Sequence, residues 1–95
     1  MPISRTAVVE KSGIHQDNPW VFPHGYWVLL VVHPPYEGER RLLASISTRF
    51  ESGGEFALFP ANAAGEATGN MLGTPDFPVA SIEKGLARKG IVLEQ

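Results

Sequence analysis

The sequence predicts one α+β domain with a four- or five-stranded, mostly antiparallel β-sheet and one C-terminal α-helix packed on one face of it. Short β-branched and aromatic runs recur along the chain, separated at short intervals by 10 glycines and 8 prolines. One stretch near the C-terminus has helical periodicity. The chain of 95 residues is long enough for one modest core and too short for two. We therefore assign residues 1–95 to a single globular domain.

The first half of the chain predicts two strands joined by a long polar loop. Ile3–Glu10 is rich in β-branched residues and partly alternating. Lys11–Gly25 is polar and interrupted by glycine and proline, which is typical of a loop. Tyr26–His33 is apolar on both faces, as in a central strand. We expect this strand to end at Pro34, because neither Pro34 nor Pro35 can donate to a ladder.

Four further candidate strands follow along the chain. Arg41–Phe50 alternates between apolar and small polar residues, and we expect it to pair antiparallel with the preceding strand. Glu55–Phe59 is a short strand after a Gly-Gly turn, and Glu66–Met71 is expected to pair back weakly. Ile91–Leu93 is apolar and predicts a short last strand.

The helix is predicted over Pro78–Lys89. Pro78 suits the first helical position, since its missing N–H has no intrahelical partner there. Gly85 within the helix costs about 1 kcal/mol relative to alanine. Gly90 suits the left-handed residue that follows a helix, with Ile91 folding back as its apolar contact. The apolar stripe consists of Val79, Ile82 and Leu86.

Composition excludes several kinds of site. The chain has no cysteine, which excludes disulfides, thiolate metal sites and thiol nucleophiles. Its net charge of −2 comes from interspersed charges, whereas a general nucleic-acid binder usually carries a basic excess. The longest apolar run, Tyr26–Val32, is far shorter than the roughly 20 residues of a membrane helix. No signal peptide is apparent at Met1–Arg5, and we expect a soluble cytoplasmic protein.

No catalytic, metal or cofactor site is predicted. His15, His24 and His33 are equally spaced, but an extended strand between the last two would hold them roughly 25–30 Å apart. Ligands of one metal ion would have to lie about 2 Å from it. Serine-hydrolase and phosphate-binding glycine motifs are absent from the sequence. The histidines are therefore interpreted as surface or loop residues.

An aromatic-rich segment is the most unusual feature. Four of the nine aromatic residues fall within Trp20–Trp27, beside proline and glycine. Tryptophan and tyrosine are enriched at binding hot spots, but large aromatics also close the cores of small domains. We assign Trp27 to the core. Trp20, Phe22 and Tyr26 either cover the core or form a contact surface, and the sequence does not distinguish these two roles. The candidate partner-binding residues are Trp20, Phe22, His24, Tyr26, Tyr36, Arg40 and Arg41.

These features favour a non-enzymatic binding protein that docks on a protein partner. The compact alternation of short strands, a Gly-Glu turn and a terminal helix is similar in general style to small orphan proteins of phages and mobile elements. That style implies an inhibitor of a host defence complex; an immunity protein for a toxin is a second form of the same hypothesis.

Two other classes of function stay open. One is a homodimeric enzyme or ligand-binding subunit whose site lies at the dimer interface and uses His24, Tyr26 and Arg41. The other is nucleic-acid binding through the helix residues Lys84, Arg88 and Lys89, which predicts a steep salt dependence. We consider this second class less favoured, because complementing the helix dipole explains the same basic residues.

Overall fold

The computed structural model describes residues 5–14, 16, 25–47 and 53–94. Within these residues, six strands form one curled, mixed sheet in the order β5-β4-β3-β2-β1-β6. The β1–β6 pair is parallel and the other four pairs are antiparallel. The elements in chain order are β1 (Arg5–Ile14), β2 (Gly25–Tyr36), β3 (Glu39–Ser47), β4 (Gly54–Pro60), β5 (Leu72–Val79), α1 (Ile82–Arg88) and β6 (Ile91–Leu93).

The predicted α+β class, the mainly antiparallel sheet and the C-terminal helix are confirmed, whereas the strand count is six and not four or five. The unpredicted strand is β5, which contains Pro75 and Pro78. Proline is tolerated there because β5 is an edge strand with a partner on one side. The predicted weak pairing of Glu66–Met71 is reduced to an isolated bridge between Ala61 and Ala67.

The helix is shorter than predicted, and Pro78 is not its first residue. Pro78 lies in β5, and α1 begins at Ile82 after the N-cap Ser81. The backbone N–H of Lys84 donates to Ser81 Oγ at 3.2 Å, which satisfies one of the unpaired donors of the first turn. Gly90 has a φ of +76°, which confirms the predicted left-handed residue after the helix.

β2 continues through the two prolines that were expected to end it. Pro34 and Pro35 fall where no ladder needs their N–H groups. The pairing of β1 with β2 ends at His33, and the pairing of β2 with β3 is irregular between Val31 and Tyr36. The ladder then resumes with Tyr36 opposite Glu39 at the turn.

β1 also runs further than predicted, to Ile14 instead of Glu10, so the predicted loop Lys11–Gly25 is shorter. The register of β1 against β2 shifts between Val9 and Lys11, which makes Glu10 an extra residue in the strand. Such a β-bulge bends a strand and increases its local twist. The predicted start of β1 at residues 3–4 and the predicted end of β3 at residues 48–50 lie outside the described residues.

The core occupies both faces of the sheet. On one face, α1 packs against β3, β4, β5 and β6. The opposite face carries a smaller cluster of Trp27, Leu29 and Leu43, flanked by Phe59, Ala61 and Ala67. Trp27 is 7% exposed and its indole N–H donates to the Ile14 carbonyl at 2.9 Å. The main cluster contains Ala7, Leu30, Val32, Leu42, Ala44, Ile46, Phe56, Leu58, Val79, Leu86 and Ile91.

Gly85 sets how closely α1 approaches the sheet. A Cβ atom at this position would overlap the ring of Phe56, a fully buried side chain of β4. The close contact explains why a glycine occupies the middle of a short helix despite its low helix propensity.

None of the helical segments within the described residues has the length and apolar character that crossing a bilayer requires.

Gly85→Ala is therefore expected to lower the free energy of unfolding, although alanine is the better helix former. Displacing the Phe56 ring costs about 1–3 kcal/mol, which equals or exceeds the gain of about 1 kcal/mol in helix propensity. Urea unfolding measures the difference. The control is Lys84→Ala on the exposed side of α1, for which we expect a change within about 0.5 kcal/mol. A more stable Gly85→Ala protein would show that the helix does not lie on Phe56.

Candidate functional site

Ile14 and Tyr26 form an exposed apolar pair at one end of the sheet, which we call the Ile14–Tyr26 patch. The two residues lie directly opposite each other in the β1–β2 ladder, so their side chains are on the same face. Tyr26 is 54% exposed and Ile14 is 46% exposed. On its other side Tyr26 pairs with Ile46 of β3, which is 3% exposed. The patch is thus an exposed extension of the main core cluster, to which Ile46 belongs.

The exposure of the patch follows from the length of the helix and from its path across this face. α1 has 7 residues and spans about 10 Å. β2 has 12 residues, and the longest dimension of the molecule is 34 Å. A helix this short covers only part of the face, and it packs near β6, which pairs with Arg5–Ala7 at the other end of β1. Gly85 of α1 packs on Phe56 of β4, which pairs with Ile46 and so stands in the same cross-strand row as Tyr26 and Ile14. The helix therefore crosses this row over β4 and reaches β6 at the opposite end of β1, which leaves the β1–β2 corner of the face exposed.

The connection between β1 and β2, which contains part of the predicted aromatic segment, begins and ends at this patch. Because Ile14 and Tyr26 are cross-strand partners, the two ends of the connection between β1 and β2 are held about 5 Å apart. Three of the predicted partner-binding residues belong to this connection. They are Trp20, Phe22 and His24, and all three lie outside the described residues.

The second predicted patch does not form one surface. Neighbouring residues of a strand point to opposite faces, so Arg40 and Arg41 of β3 are separated by the sheet. Tyr36 lies partly buried at the edge of the main core cluster. Its ring is covered by the guanidinium of Arg5, with Cζ 5.4 Å from the ring centroid, and Arg5 Nε also donates to the Pro35 carbonyl at 3.1 Å.

Arg41 pairs with Glu10, a residue that the sequence did not single out. Arg41 Nε donates to Glu10 Oε1 at 2.7 Å and Nη2 donates to Oε2 at 3.4 Å. The pair bridges β3 and β1 across β2. This hydrogen bond and the positive charge of Arg41 lower the pKa of the Glu10 carboxyl, and Glu10 raises the pKa of Arg41 in return. No sequence motif reveals the pairing, because it depends on the extra residue in β1.

A single-chain site that combines Tyr26 with Arg41 is not formed. Arg41 lies opposite Val31, five positions along β2 from Tyr26, which corresponds to roughly 17 Å. The two side chains also belong to opposite faces, because Tyr26 shares its face with Ile46 and Arg41 alternates with it along β3. The shared-site hypothesis thus requires a second copy of the chain to bring these groups together.

Two of the three basic helix residues are engaged within the chain. Arg88 Nη2 donates to the Pro78 carbonyl at 3.1 Å. Lys89 Nζ lies 3.2 Å from Asp76 Oδ2 and donates to the Thr74 carbonyl at 3.3 Å. Both residues therefore bind the C-terminal end of α1 to β5. The third residue, Lys84, is exposed.

Of the three histidines, His33 is exposed on β2, and His15 and His24 lie outside the described residues. Among the residues that the structure describes, no group of three His, Asp or Glu side chains is placed to hold a metal ion.

Comparison of the chain with protein-family models, with curated proteins and with solved structures found no match.

The Glu10 carboxyl is expected to titrate below the ordinary glutamate pKa of 4.5. Since the folded-state pKa of Glu10 is lowered, the stabilisation by the Glu10–Arg41 pair is present at neutral pH. It is lost as the pH falls through the folded-state pKa of Glu10. NMR titration of the Glu10 side-chain carbon measures the midpoint, and Arg41→Gln should return it towards 4.5. Arg40→Gln, on the opposite face, is the matched control and should leave it unchanged. Equal midpoints in the wild type and Arg41→Gln would contradict the pairing.

Proposed function

We propose that this chain is a non-enzymatic binding protein that docks on a protein partner through the Ile14–Tyr26 patch and the connection between β1 and β2. The observation that carries the proposal is the exposure of Tyr26 on an interior strand. Its neighbours Gly25 and Trp27 are buried, whereas Tyr26 itself is 54% exposed next to an exposed isoleucine. Removing this pair from water would favour association with an apolar surface.

The chemistry of the patch suits a protein partner. A tyrosine offers a large, rigid contact area together with a hydroxyl group, and tyrosine and tryptophan are enriched among the residues that dominate binding energy. Trp20 and Phe22 belong by sequence to the connection that starts and ends at the patch. The partner would present an apolar pocket for the ring with a polar group at its rim for the hydroxyl.

Two biological forms of the proposal use the same surface. In one, the chain is an inhibitor, encoded by a phage or mobile element, of a host defence complex. In the other, it is an immunity protein that neutralises a toxin. The two forms differ in the identity of the captured protein, so the same experiment distinguishes them.

We expect Ile14→Ser combined with Tyr26→Ser to abolish capture of the partner. Truncating a hot-spot side chain costs about 2 kcal/mol or more, which corresponds to roughly a thirtyfold loss of affinity for each. The tagged wild type and variant are used as bait in a lysate of the host, at low and moderate salt, with capture read by mass spectrometry. The captured protein is then purified and its Kd is measured for both baits.

The matched control is Val92→Ser, because Val92 is also an exposed aliphatic residue, at 58%, but lies on β6 opposite Thr6, at the other end of β1 from Ile14. This variant should bind as the wild type does, and circular dichroism should show that all three proteins are folded. A folded Ile14→Ser/Tyr26→Ser variant with unchanged Kd would show that the patch is not the docking surface. Capture that disappears at moderate salt would favour an electrostatic contact instead.

A further inference from the structure

β1 is paired along the whole of one edge and along only part of the other. Its ladder with β2 runs from Thr6 to Ile14. Its ladder with β6 covers Arg5–Ala7, followed by a last hydrogen bond of 2.8 Å from the Glu94 N–H to the Ala7 carbonyl. Within the described part of the chain, no strand lies beside residues 8–13 on this second edge. We call residues 8–13 the open edge.

The open edge presents main-chain groups that another strand could pair with. The Arg5 N–H and the Ala7 carbonyl both point towards β6. Because the direction alternates along a strand, the N–H and carbonyl of Val9 point to the same side, beyond the end of β6. Val8 and Val9 are 49% and 42% exposed. An exposed edge with apolar side chains is a template for pairing with another copy of the same chain.

The β-bulge lies in the middle of the open edge. Glu10 is the extra residue between Val9 and Lys11, and both Glu10 and Lys11 are exposed charged residues. The bidentate contact with Arg41 fixes the Glu10 side chain, with Nε 2.7 Å from Oε1. A bulge distorts the spacing and the twist of the edge groups, and charged side chains on the edge oppose a close partner strand.

We propose that Glu10, held by Arg41, prevents a second copy of this chain from adding its β1 antiparallel to the open edge. The partner excluded is an identical β1, because a twofold pairing of two open edges would extend the sheet across both copies. The extra residue prevents this by displacing the main-chain groups on either side of it from the regular spacing of a ladder. Its contact with Arg41 holds it in that position, and the charge of Lys11 beside it opposes a close partner strand. This inference goes beyond the proposed docking function and concerns a different part of the surface from the Ile14–Tyr26 patch.

Deletion of Glu10 tests the proposal directly. Val9 lies opposite Leu30 and Lys11 lies opposite Leu29, so removal of the residue between them leaves a regular ladder in which every β1–β2 pair is kept. The apparent mass is measured by light scattering after size-exclusion chromatography, from micromolar to near-millimolar concentration. The wild type should be monomeric, and the deletion variant should approach twice that mass as the concentration rises.

A second substitution shows whether the association uses the open edge. Val9→Lys in the deletion variant adds a charge at the centre of the edge and should restore the monomer. Association that persists after Val9→Lys would overturn the proposal, as would a folded deletion variant that stays monomeric. A wild-type dimer that Val9→Lys dissociates would also overturn it, since the edge would then be accessible with Glu10 in place.

Should the deletion variant not fold, Arg41→Gln combined with Lys11→Val provides the test without changing the length of β1. This variant removes the contact that fixes Glu10 and the cation next to it. We expect it to associate more tightly than the wild type, by about tenfold or more in Kd, which corresponds to about 1.4 kcal/mol. A folded double variant that is as monomeric as the wild type would overturn the proposal.

Discussion

The antiparallel pairing of β1 with β2 is the interaction on which the rest of the structure depends. It places Ile14 next to Tyr26 and so creates the exposed patch. It also contains the extra residue Glu10, which reaches Arg41 on the far side of β2. The same strand supports β6 at its other end, where Ile91 is buried in the main core. A change in the β1 register would therefore alter the patch, the ion pair and the attachment of β6 together.

The second constraint is the difference in size between the sheet and the helix. Six strands present more surface than a helix of 7 residues can cover. The helix packs closely where it can, with Gly85 against Phe56, and its end is fastened to β5 through Arg88 and Lys89. Ile14 and Tyr26 lie in the same cross-strand row as Phe56 but on β1 and β2, where they are exposed. The packed and the exposed parts of this row are thus separated across the strands.

The sequence predicts the parts of this fold that have strong local signals. The apolar run of β2 identifies a central strand, and Gly90 identifies the end of the helix. The extension of β1 beyond Glu10 was missed, because its exposed residues Lys11 and Ser12 lack the alternation that a half-buried strand shows. β5 was missed because its prolines are compatible only with an edge position, which is a property of the whole sheet.

The candidate site was predicted only in part, for a related reason. The sequence marks Tyr26 as an aromatic residue beside glycine, but its exposure depends on which strands the helix crosses. Ile14 was not identified, because its position opposite Tyr26 depends on a register that includes an extra residue. The Glu10–Arg41 pair joins residues 31 positions apart, so no local pattern contains it. Pairing across strands, and not composition, determines which side chains meet.

The measurement that tests this account most directly is amide hydrogen exchange of Val8 and Val9 by NMR. Alternation along β1 directs the Val8 N–H towards β2 and the Val9 N–H towards the open edge. Our account predicts slow exchange at Val8 and rapid, nearly unprotected exchange at Val9 in the monomeric protein. Equal protection of the two amides would show that the second edge of β1 is covered, and would contradict the half-paired strand on which the account rests.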